Sequence, residues 1–214
     1  MVLLIFGAPG SGKGTQAKKL ADWLRVPQLS TGEMLRAEVS VGTPLGKQVS
    51  QILASGALVS DAVINPIVEM RVKQPDCARG FILDGYPRTV EQALFLDSLM
   101  ARNGSPSPKA VYLDVPVDAL VARITARRQC PRCLRIYNLI SQPPVRPGLC
   151  DDHDVELVTR ADDREDVLRA RLAAYQSATA PVLAHYAGPS YVAVDGGRSP
   201  DEVFRDVRAK LDKT

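Results

Sequence analysis

The stretch Val2-Leu-Leu-Ile-Phe-Gly-Ala-Pro-Gly-Ser-Gly-Lys-Gly-Thr15 places a short apolar run directly before a glycine-rich loop and a lysine. The apolar run predicts a buried β-strand, and the helical spacing of residues 13–25 predicts a helix after the loop. Glycines let such a loop turn tightly, so that successive backbone N–H groups and the helix dipole face an anion. Lys13 adds a point charge. Strand, loop, lysine and helix together predict a P-loop that binds a nucleoside triphosphate.

The loop departs from the common P-loop pattern at one position. Gly14 stands where the pattern has Ser or Thr, and the hydroxyl comes one residue later, at Thr15. In switches and ATPases the first hydroxyl binds magnesium, so the departure favours a small-molecule kinase over a nucleotide-hydrolysing enzyme. An ordinary glycine-rich strand-to-helix turn is the structural alternative, but it would not require the lysine and the helix in this order.

The rest of the chain alternates short apolar runs with longer amphipathic stretches. This alternation predicts an α/β fold with a five-stranded parallel sheet and helices on both faces. The expected strands lie at 80–83, 110–114 and 191–194, with a short one near 27–29, and the expected helices at 89–102, 117–128 and 200–211.

Two segments interrupt this alternation. Residues 30–59 have helical patterns without a strand between them, which predicts a small helical insertion. Residues 129–160 are rich in Pro, Gly, Cys and Asp and have little helical periodicity. Insertions in an open parallel sheet usually extend the loops at the carboxyl ends of the strands, where ligands bind. The predicted division is a core of 1–29, 60–121 and 161–214, an insertion of 30–59 and a lid of 122–160.

Composition and charge argue against several other classes of protein. The 214 residues are 45% hydrophobic and 24% charged, which is ordinary globular composition. A net charge of +3 and an aromatic content of 5% are too low for a nucleic-acid-binding zinc ribbon. No targeting signal and no run of ~18 apolar residues is found, so we expect a cytoplasmic protein away from membranes. In that compartment cysteines stay reduced.

Three of the four cysteines form a pattern typical of a metal site. Cys130-Pro-Arg-Cys133 is followed after sixteen residues by Cys150-Asp-Asp-His153. Two tight pairs of soft or borderline ligands suit tetrahedral, structural Zn²⁺ of the Cys3His type. A redox pair at Cys130 and Cys133 is the alternative, which the second pair disfavours. The fourth ligand is open, because three acids compete with His153: Asp151, Asp152 and Asp154.

Several segments in one order and spacing resemble the signature segments of the adenylate kinases over the whole chain. The length of residues 129–160 and the stretch Asn138–Pro144 resemble the long-lid members. The resemblance implies a monomer that transfers the γ-phosphoryl group of ATP to AMP with Mg²⁺, giving two ADP. The segments are Gly7–Gln16, Ser30–Arg36, Leu83–Thr89, Arg160–Asp163, Arg171 and Val194–Gly196.

The resemblance also implies which residues act on the ATP side. Asp84, at the end of a predicted strand, would orient waters on magnesium, and Arg127 would assist from the lid. The implied cations around the transferring group are Lys13, Arg88, Arg123, Arg160 and Arg171. The implied ATP contacts are Gly10, Ser11, Gly12, Lys13, Gly14, Thr15, Arg123, Arg127, Tyr137, Gly196 and Arg198.

An arginine and a helix start at residues 31–36 suit a monophosphate, although a capped surface helix would have the same spacing. The resemblance favours AMP, with a UMP/CMP kinase as the alternative. The implied AMP contacts are Thr31, Arg36, Ala57, Leu58, Val59, Gly85, Arg88, Gln92, Arg160 and Arg171.

Spacing adds one expectation about the late arginines. Arg123 and Arg127 lie four apart on the predicted helix 117–128, so they should project from one face. Arg160 and Arg171 should flank a second helix, and the pair Asp162-Asp163 should brace the cluster.

Overall fold

The computed structural model describes residues 1–213, apart from the side chain of Asp166. A five-stranded parallel sheet with the order β2-β3-β1-β4-β7 lies at its centre, and β5 and β6 form a separate antiparallel pair. The predicted fold class is confirmed. The strands are β1 (Val2–Phe6), β2 (Gln28–Ser30), β3 (Phe81–Asp84), β4 (Lys109–Asp114), β5 (Arg127–Gln129), β6 (Ile136–Asn138) and β7 (Tyr191–Asp195).

Helices cover both faces of the sheet, because both faces of a parallel sheet must be buried. Leu4 and Phe6 of β1 belong to one hydrophobic cluster, and Leu3 and Ile5 belong to the other. This explains why the whole of β1 is apolar. The helices are α1 (Lys13–Leu24), α2 (Thr31–Val41), α3 (Pro44–Ser55), α4 (Asp61–Val72), α5 (Val90–Arg102), α6 (Val117–Thr125), α7 (Glu165–Ala174), α8 (Ala180–His185) and α9 (Pro200–Leu211).

The two helices between β2 and α4 form a compact pair. Ser30 caps α2 by accepting from the Glu33 N–H, and Thr43 caps α3 by accepting from the Gly46 N–H. Each helix ends on a glycine in the left-handed region, Gly42 at φ 78° and Gly56 at φ 74°. Glycine adopts this conformation without a Cβ penalty, so it provides a clean helix end.

The predicted helix 117–128 was too long. The helix ends at Thr125, and the chain then enters β5, which pairs with β6. The side-chain amide of Asn138, a residue of β6, donates to the Arg123 carbonyl (2.9 Å) near this helix end. Arg123 and Arg127 therefore lie on different elements, and the expectation of one shared helix face was wrong.

The position of Arg171 also needs a correction. It lies inside α7, three residues from the helix end, rather than at its flank. Arg160 does precede this region, directly before a short 3-10 turn at Ala161–Asp163. Among the described residues, no helix is long and apolar enough to cross a membrane.

Candidate active site

The glycine-rich loop leads from β1 to α1 and packs closely on α6. Gly10 and Gly12 have φ of 85° and 92°, which favours residues without a Cβ. A Cβ built on Gly10 would lie 2.8 Å from Ile124 Cγ1 and 2.9 Å from the Leu120 carbonyl oxygen. The loop thus needs glycine both for its turn and for its contact with the helix that leads into the β5–β6 pair.

Lys13 is the first residue of α1, and its ammonium folds back over the loop. It donates to the carbonyl oxygens of Gly7 (2.7 Å) and Ala8 (3.0 Å). Burial, the largest cause, lowers the pKa of Lys13 to about 7; Asp84 opposes this shift and neighbouring arginines add to it. A lysine in this environment is stabilised in its charged form by an added anion.

Asp84 ends β3 beside the loop and is 8% exposed. A Cβ built on Gly14 would lie 3.3 Å from Asp84 Oδ2, so a larger residue would crowd the carboxylate. This proximity gives a structural reason for glycine where the common pattern has a hydroxyl. The Gln28 amide donates to Asp84 Oδ2 (3.2 Å) and fixes one carboxylate oxygen. No motif in the sequence marks Gln28 as a partner of Asp84.

Arg88 lies in the loop after β3, and three contacts fix this loop. Its Nε donates to the Gly85 carbonyl (2.7 Å), which also accepts from Thr31 Oγ1 (2.9 Å). Thr179, from a π-helical turn at Tyr175–Thr179, donates to the Arg88 carbonyl (3.0 Å). Burial and, after it, the charge of Arg171 lower the pKa of Arg88 to about 10.

Gln92, one of the predicted AMP contacts, is bonded at both ends of its amide in this structure, and its contact with AMP stays a prediction. Its side chain is almost fully buried at 2% exposure. Its Oε1 accepts from the Arg88 N–H (2.7 Å), and its Nε2 donates to Asp61 Oδ1 (2.6 Å). Both ends of the amide are occupied, so Gln92 positions Arg88 in this structure.

The acidic pair 162–163 braces two arginines, as predicted. Asp163 Oδ2 accepts from Arg127 Nε (2.6 Å), and Oδ1 accepts from Arg127 Nη2 and from Arg171 Nη1 (3.1 Å). Arg171 Nη1 also pairs with Asp162 Oδ2 (3.0 Å). The Asp163 side chain is 0% exposed. A fully buried carboxylate is stable in the charged form only with such partners.

Arg36 and Arg160 complete the cluster. Burial and the charges of Arg36 and Arg127 lower the pKa of Arg160 to about 9. Burial lowers the pKa of Arg36, with Asp162 opposing and Arg127 adding to the shift. Arg36 Nε is buried without a hydrogen-bond partner among the described residues. Six half-buried cations therefore share three carboxylates, and this excess of positive charge suits a polyanion. The cations are Lys13, Arg36, Arg88, Arg127, Arg160 and Arg171, and the carboxylates are those of Asp84, Asp162 and Asp163.

The hydrogen bonds of Arg123 draw it to a different loop from this cluster. Its Nη1 donates to the Gly196 carbonyl (2.7 Å), and its Nη2 donates to the Gly197 carbonyl (3.0 Å), in the loop after β7. Arg198 in the same loop pairs with Asp206. The structure thus places Arg123 with the loop that holds the predicted ATP contacts Gly196 and Arg198, and it places Arg127 in the arginine cluster around Asp163.

Tyr137, one of the predicted ATP contacts, has its side chain buried in this structure, and its contact with ATP stays a prediction. The ring is 3% exposed. Its hydroxyl donates to Cys150 Sγ (3.5 Å) and accepts from the Asp151 N–H (2.9 Å). The side chain therefore belongs to the interior of the lid, beside the cysteines.

The two cysteine pairs form two turns with the same backbone hydrogen bonds. Cys130 N–H donates to Arg135 O (2.9 Å) and Leu134 N–H donates to Cys130 O (3.0 Å). The second turn repeats this pattern: Cys150 N–H donates to Val155 O (2.9 Å), and Asp154 N–H donates to Cys150 O (3.2 Å). Leu134 and Asp154, at equivalent positions, both have positive φ, 62° and 54°. The same unfavourable backbone conformation at equivalent positions of both turns indicates that the two turns serve one shared site.

These turns bring the four predicted ligands together. Their ligand atoms all lie within 4.8 Å of one another: Cys130, Cys133, Cys150 and His153. Cys150 Sγ lies 3.8 Å from Cys133 Sγ and 3.8 Å from His153 Nδ1. The cluster can hold a metal ion.

The acids that competed with His153 for the fourth position pair with arginines. Asp151 and Asp152 pair with Arg135, and Asp154 pairs with Arg146.

Comparison with known proteins agrees with this geometry. A family model described as adenylate kinase matches residues 5–190. The chain belongs to the adenylate kinase family. It is similar to proteins named adenylate kinase from Pseudothermotoga lettingae (45% identity over 100% of this chain and 99% of the relative), Thermodesulfovibrio yellowstonii (44%, 100% of both) and Kosmotoga olearia (42%, 99% of both). The chain is therefore a phosphotransferase, and the resemblance carried by its signature segments is confirmed.

In this adenylate kinase family member, the residues predicted near the AMP base lie between α3 and α4. Ala57 is exposed, Leu58 is half-buried, and Val59 packs in the hydrophobic core. Their contact with a nucleobase stays a prediction. Sequence reasoning missed Asp61 and Thr179 as supports of the Arg88 loop, because only the fold brings them near it.

The lowered pKa of Lys13 predicts proton uptake when ATP binds. The ordinary pKa is 10.5 and the folded-state pKa is about 7, so between these values the folded protein binds fewer protons than the unfolded chain, and stability rises with pH. Phosphates beside the ammonium should raise its pKa again. Calorimetric titration with ATP at about pH 8.5, in two buffers of different ionisation enthalpy, should show proton uptake.

The proton uptake should disappear in Lys13→Met. It should persist in Lys18→Met, because Lys18 is exposed on the same helix. Equal uptake by all three proteins would contradict the assignment to Lys13.

Proposed function

We propose that this chain catalyses the reversible, Mg²⁺-dependent transfer of the γ-phosphoryl group of ATP to AMP, giving two ADP. The convergence of cations from every part of the chain supports this most. Arg36 comes from the insertion, Arg127 from the lid and Arg171 from the core, and all three perturb or brace one another beside the P-loop. Two phosphate chains that meet end to end would need such a set, because a single triphosphate is already held by the loop and its lysine.

The proposed mechanism relies on positioning and charge. An AMP phosphate oxygen attacks the γ-phosphorus in line, and ADP leaves from the opposite side. Lys13 holds the β- and γ-phosphates, and the planar guanidinium of Arg88 bridges donor and acceptor. Arg127, Arg160 and Arg171 offset the charge on the transferring group. The reaction needs no general base and no phosphoenzyme.

Asp84 would hold the waters of the magnesium ion. Its carboxylate lies beside the P-loop and is aimed by Gln28, which suits an oxygen-rich, hydrated ion. A magnesium ion held there would supply positive charge that offsets the charge developing on the phosphates.

We assign Arg123 to the nucleobase and Arg127 to the phosphates. The Arg123 guanidinium is held edge-on by carbonyl oxygens of the loop 196–197, which leaves its flat face for stacking on a purine. Arg127 instead shares the carboxylate of Asp163 with Arg171. This revises the role implied for Arg123 by the sequence resemblance.

Alanine substitutions should separate these two roles. Arg127→Ala should lower kcat by ~10³, as removal of an arginine at a transferring phosphoryl group does. Arg123→Ala should mainly raise KM for ATP, because uniform binding is lost. Steady-state kinetics at saturating AMP measure both values.

Arg128→Ala is the matched control, since the hydrogen bonds of Arg128 within the described part of the chain go to the carbonyls of Thr125 and Arg127, at the start of the lid. A larger kcat loss for Arg123→Ala than for Arg127→Ala would refute the assignment.

The choice of AMP over UMP or CMP is the finer part of the proposal. ADP formation from Mg-ATP should be fast with AMP and slower by orders of magnitude with UMP, CMP or GMP offered singly. Faster turnover of UMP or CMP would favour the alternative kinase. ADP release from Mg-ATP without any monophosphate would contradict the proposal that the chain is a nucleoside monophosphate kinase.

We propose that the lid cluster holds structural Zn²⁺. The hydrophobic cluster of the lid is small, with Cys130, Tyr137 and Cys150 buried and two further side chains packed on them, so it cannot supply much folding energy alone. Burial would raise the pKa of Cys150, but hydrogen bonds from the Tyr137 side chain, the Asp152 backbone and the His153 side chain outweigh it and lower the pKa to about 6. A thiolate is the form that binds zinc. All four positions are protein ligands, so the ion would be structural rather than catalytic.

Tyr137→Phe should test both the assignment of zinc to the lid and the predicted contact of the Tyr137 side chain with ATP. It removes the hydroxyl that contacts Cys150 and should weaken zinc binding by about 10–100-fold, as loss of an outer partner of a metal ligand does. KM for ATP should stay near the wild-type value. Zinc affinity by competition with a chromogenic chelator and steady-state kinetics provide the two readouts.

Wild-type protein purified without zinc, and a lid indifferent to chelation, would refute the metal. A large rise in KM for ATP with unchanged zinc affinity in Tyr137→Phe would instead support a contact between the Tyr137 hydroxyl and ATP.

The remaining expectations from the sequence stay predictions. They are a monomer in the cytoplasm that acts on ATP, AMP and ADP without nucleic acid or membrane, and a division into core, insertion and lid at the boundaries given above.

A further inference from the structure

The end of α3 touches an arginine of the proposed reaction centre through a glycine. Gly56 follows α3 at φ 74°, and a Cβ built on it would lie 2.5 Å from Arg171 Cγ and 2.9 Å from Val167 Cγ1. Val167 and Arg171 lie one turn apart on α7. Real Cβ atoms do not approach other atoms this closely, so the missing side chain is what allows the contact.

This contact limits where the Arg171 side chain can go. Among the described residues, all of its hydrogen-bond partners are reached through Nη1: the Asp162 carbonyl (2.8 Å), Asp162 Oδ2 (3.0 Å) and Asp163 Oδ1 (3.1 Å). The aliphatic stem is confined by Gly56 and Val167. Arginine has several rotatable bonds, and fixing both the stem and the head removes most of its rotamer freedom. The rest of the guanidinium edge is left for an anion.

The same carboxylate extends the connection to the lid. Asp163 binds Arg171 and also Arg127 of β5, and its side chain is fully buried. The core and the lid therefore meet at the Asp163 carboxylate, and the insertion touches the same network through Gly56 on the Arg171 stem.

We propose that Gly56 is a positioning residue for phosphoryl transfer. When the insertion 30–59 docks on α7, the bare backbone at Gly56 presses on the Arg171 stem and fixes its guanidinium towards the transferring group. Docking on the AMP side thereby sets a cation that serves both nucleotides. The inference rests on the proposed function and adds to it a coupling between the insertion and the reaction centre.

Two asparagine substitutions test this coupling. Asparagine tolerates the left-handed region better than most residues, so Gly56→Asn adds a Cβ while keeping the backbone conformation accessible. Gly42→Asn is the matched control, because Gly42 ends the neighbouring helix at φ 78° and a Cβ there would meet nothing within 4 Å. We expect Gly56→Asn to lower kcat by about 10²-fold, the scale of a misplacement near 1 Å, and to raise KM for AMP more than KM for ATP. Gly42→Asn should leave kcat near wild type.

Denaturant unfolding of both variants separates positioning from stability. Similar losses of stability with different kcat values would support the proposal, because a merely structural glycine would affect both measurements together. Equal kcat in the two variants would overturn it. If Gly56→Asn does not fold, Gly56→Ala replaces it in the same comparison, and a folded Gly56→Ala with wild-type kcat would also overturn the proposal.

A second substitution provides a rescue. Val167→Ala in the Gly56→Asn protein removes the Cγ1 atom at 2.9 Å and gives the Arg171 stem room to move aside, so part of the lost kcat should return. A double variant no faster than Gly56→Asn would contradict the steric origin. Failure of the proposed function itself would look different, since wild type would then form no ADP in response to AMP.

Discussion

Desolvation and mutual repulsion of half-buried cations are the constraint on which the proposed site depends. Lys13, Arg88 and Arg160 have lowered pKa values because burial and neighbouring positive charge both disfavour their charged forms. Asp162 and Asp163 offset only part of this charge. The free energy of folding of the rest of the protein offsets the remaining repulsion between these cations. Bound phosphate groups of the proposed substrates would reduce this repulsion. Electrostatic stabilisation prepared in this way costs no reorganisation when charge develops during transfer.

The parallel sheet makes this concentration of charge possible. Its strands all end at one edge, so the Arg88 loop after β3 lies beside the P-loop after β1, and the glycine loop after β7 lies at the same edge, with β4 between β7 and β1. The insertions add cations that no strand end could supply, Arg36 from α2 and Arg127 from β5. Supporting residues then fix the geometry from a distance: Gln92 and Thr179 hold the Arg88 loop, and Asp163 joins the lid to α7.

The lid has a different constraint, which is the small size of its hydrophobic core. A segment of this size has too few apolar side chains for a core of its own, and its two equivalent cysteine turns concentrate four ligands instead. Tyr137 fills the space between these turns and the hairpin, and its hydroxyl contacts both a sulfur and the backbone. This segment also carries Arg127, which pairs with Asp163 of the cluster.

The sequence by itself determined the features whose physics is local. A glycine-rich turn between a strand and a helix, two cysteine pairs, and apolar runs that alternate with helical patterns each depend on neighbours along the chain, and the P-loop, the metal cluster and the parallel sheet were predictable for that reason. Only the tertiary structure decided which side chains were left for ligands. Gln92 and Tyr137 have the right chemistry for nucleotide contacts, but partners distant in sequence use their polar atoms. Arg123 and Arg127 separated because pairing of β5 with β6 ended the helix between them. Such competition between a ligand and the protein's own groups depends on long-range packing, which spacing along the chain does not encode.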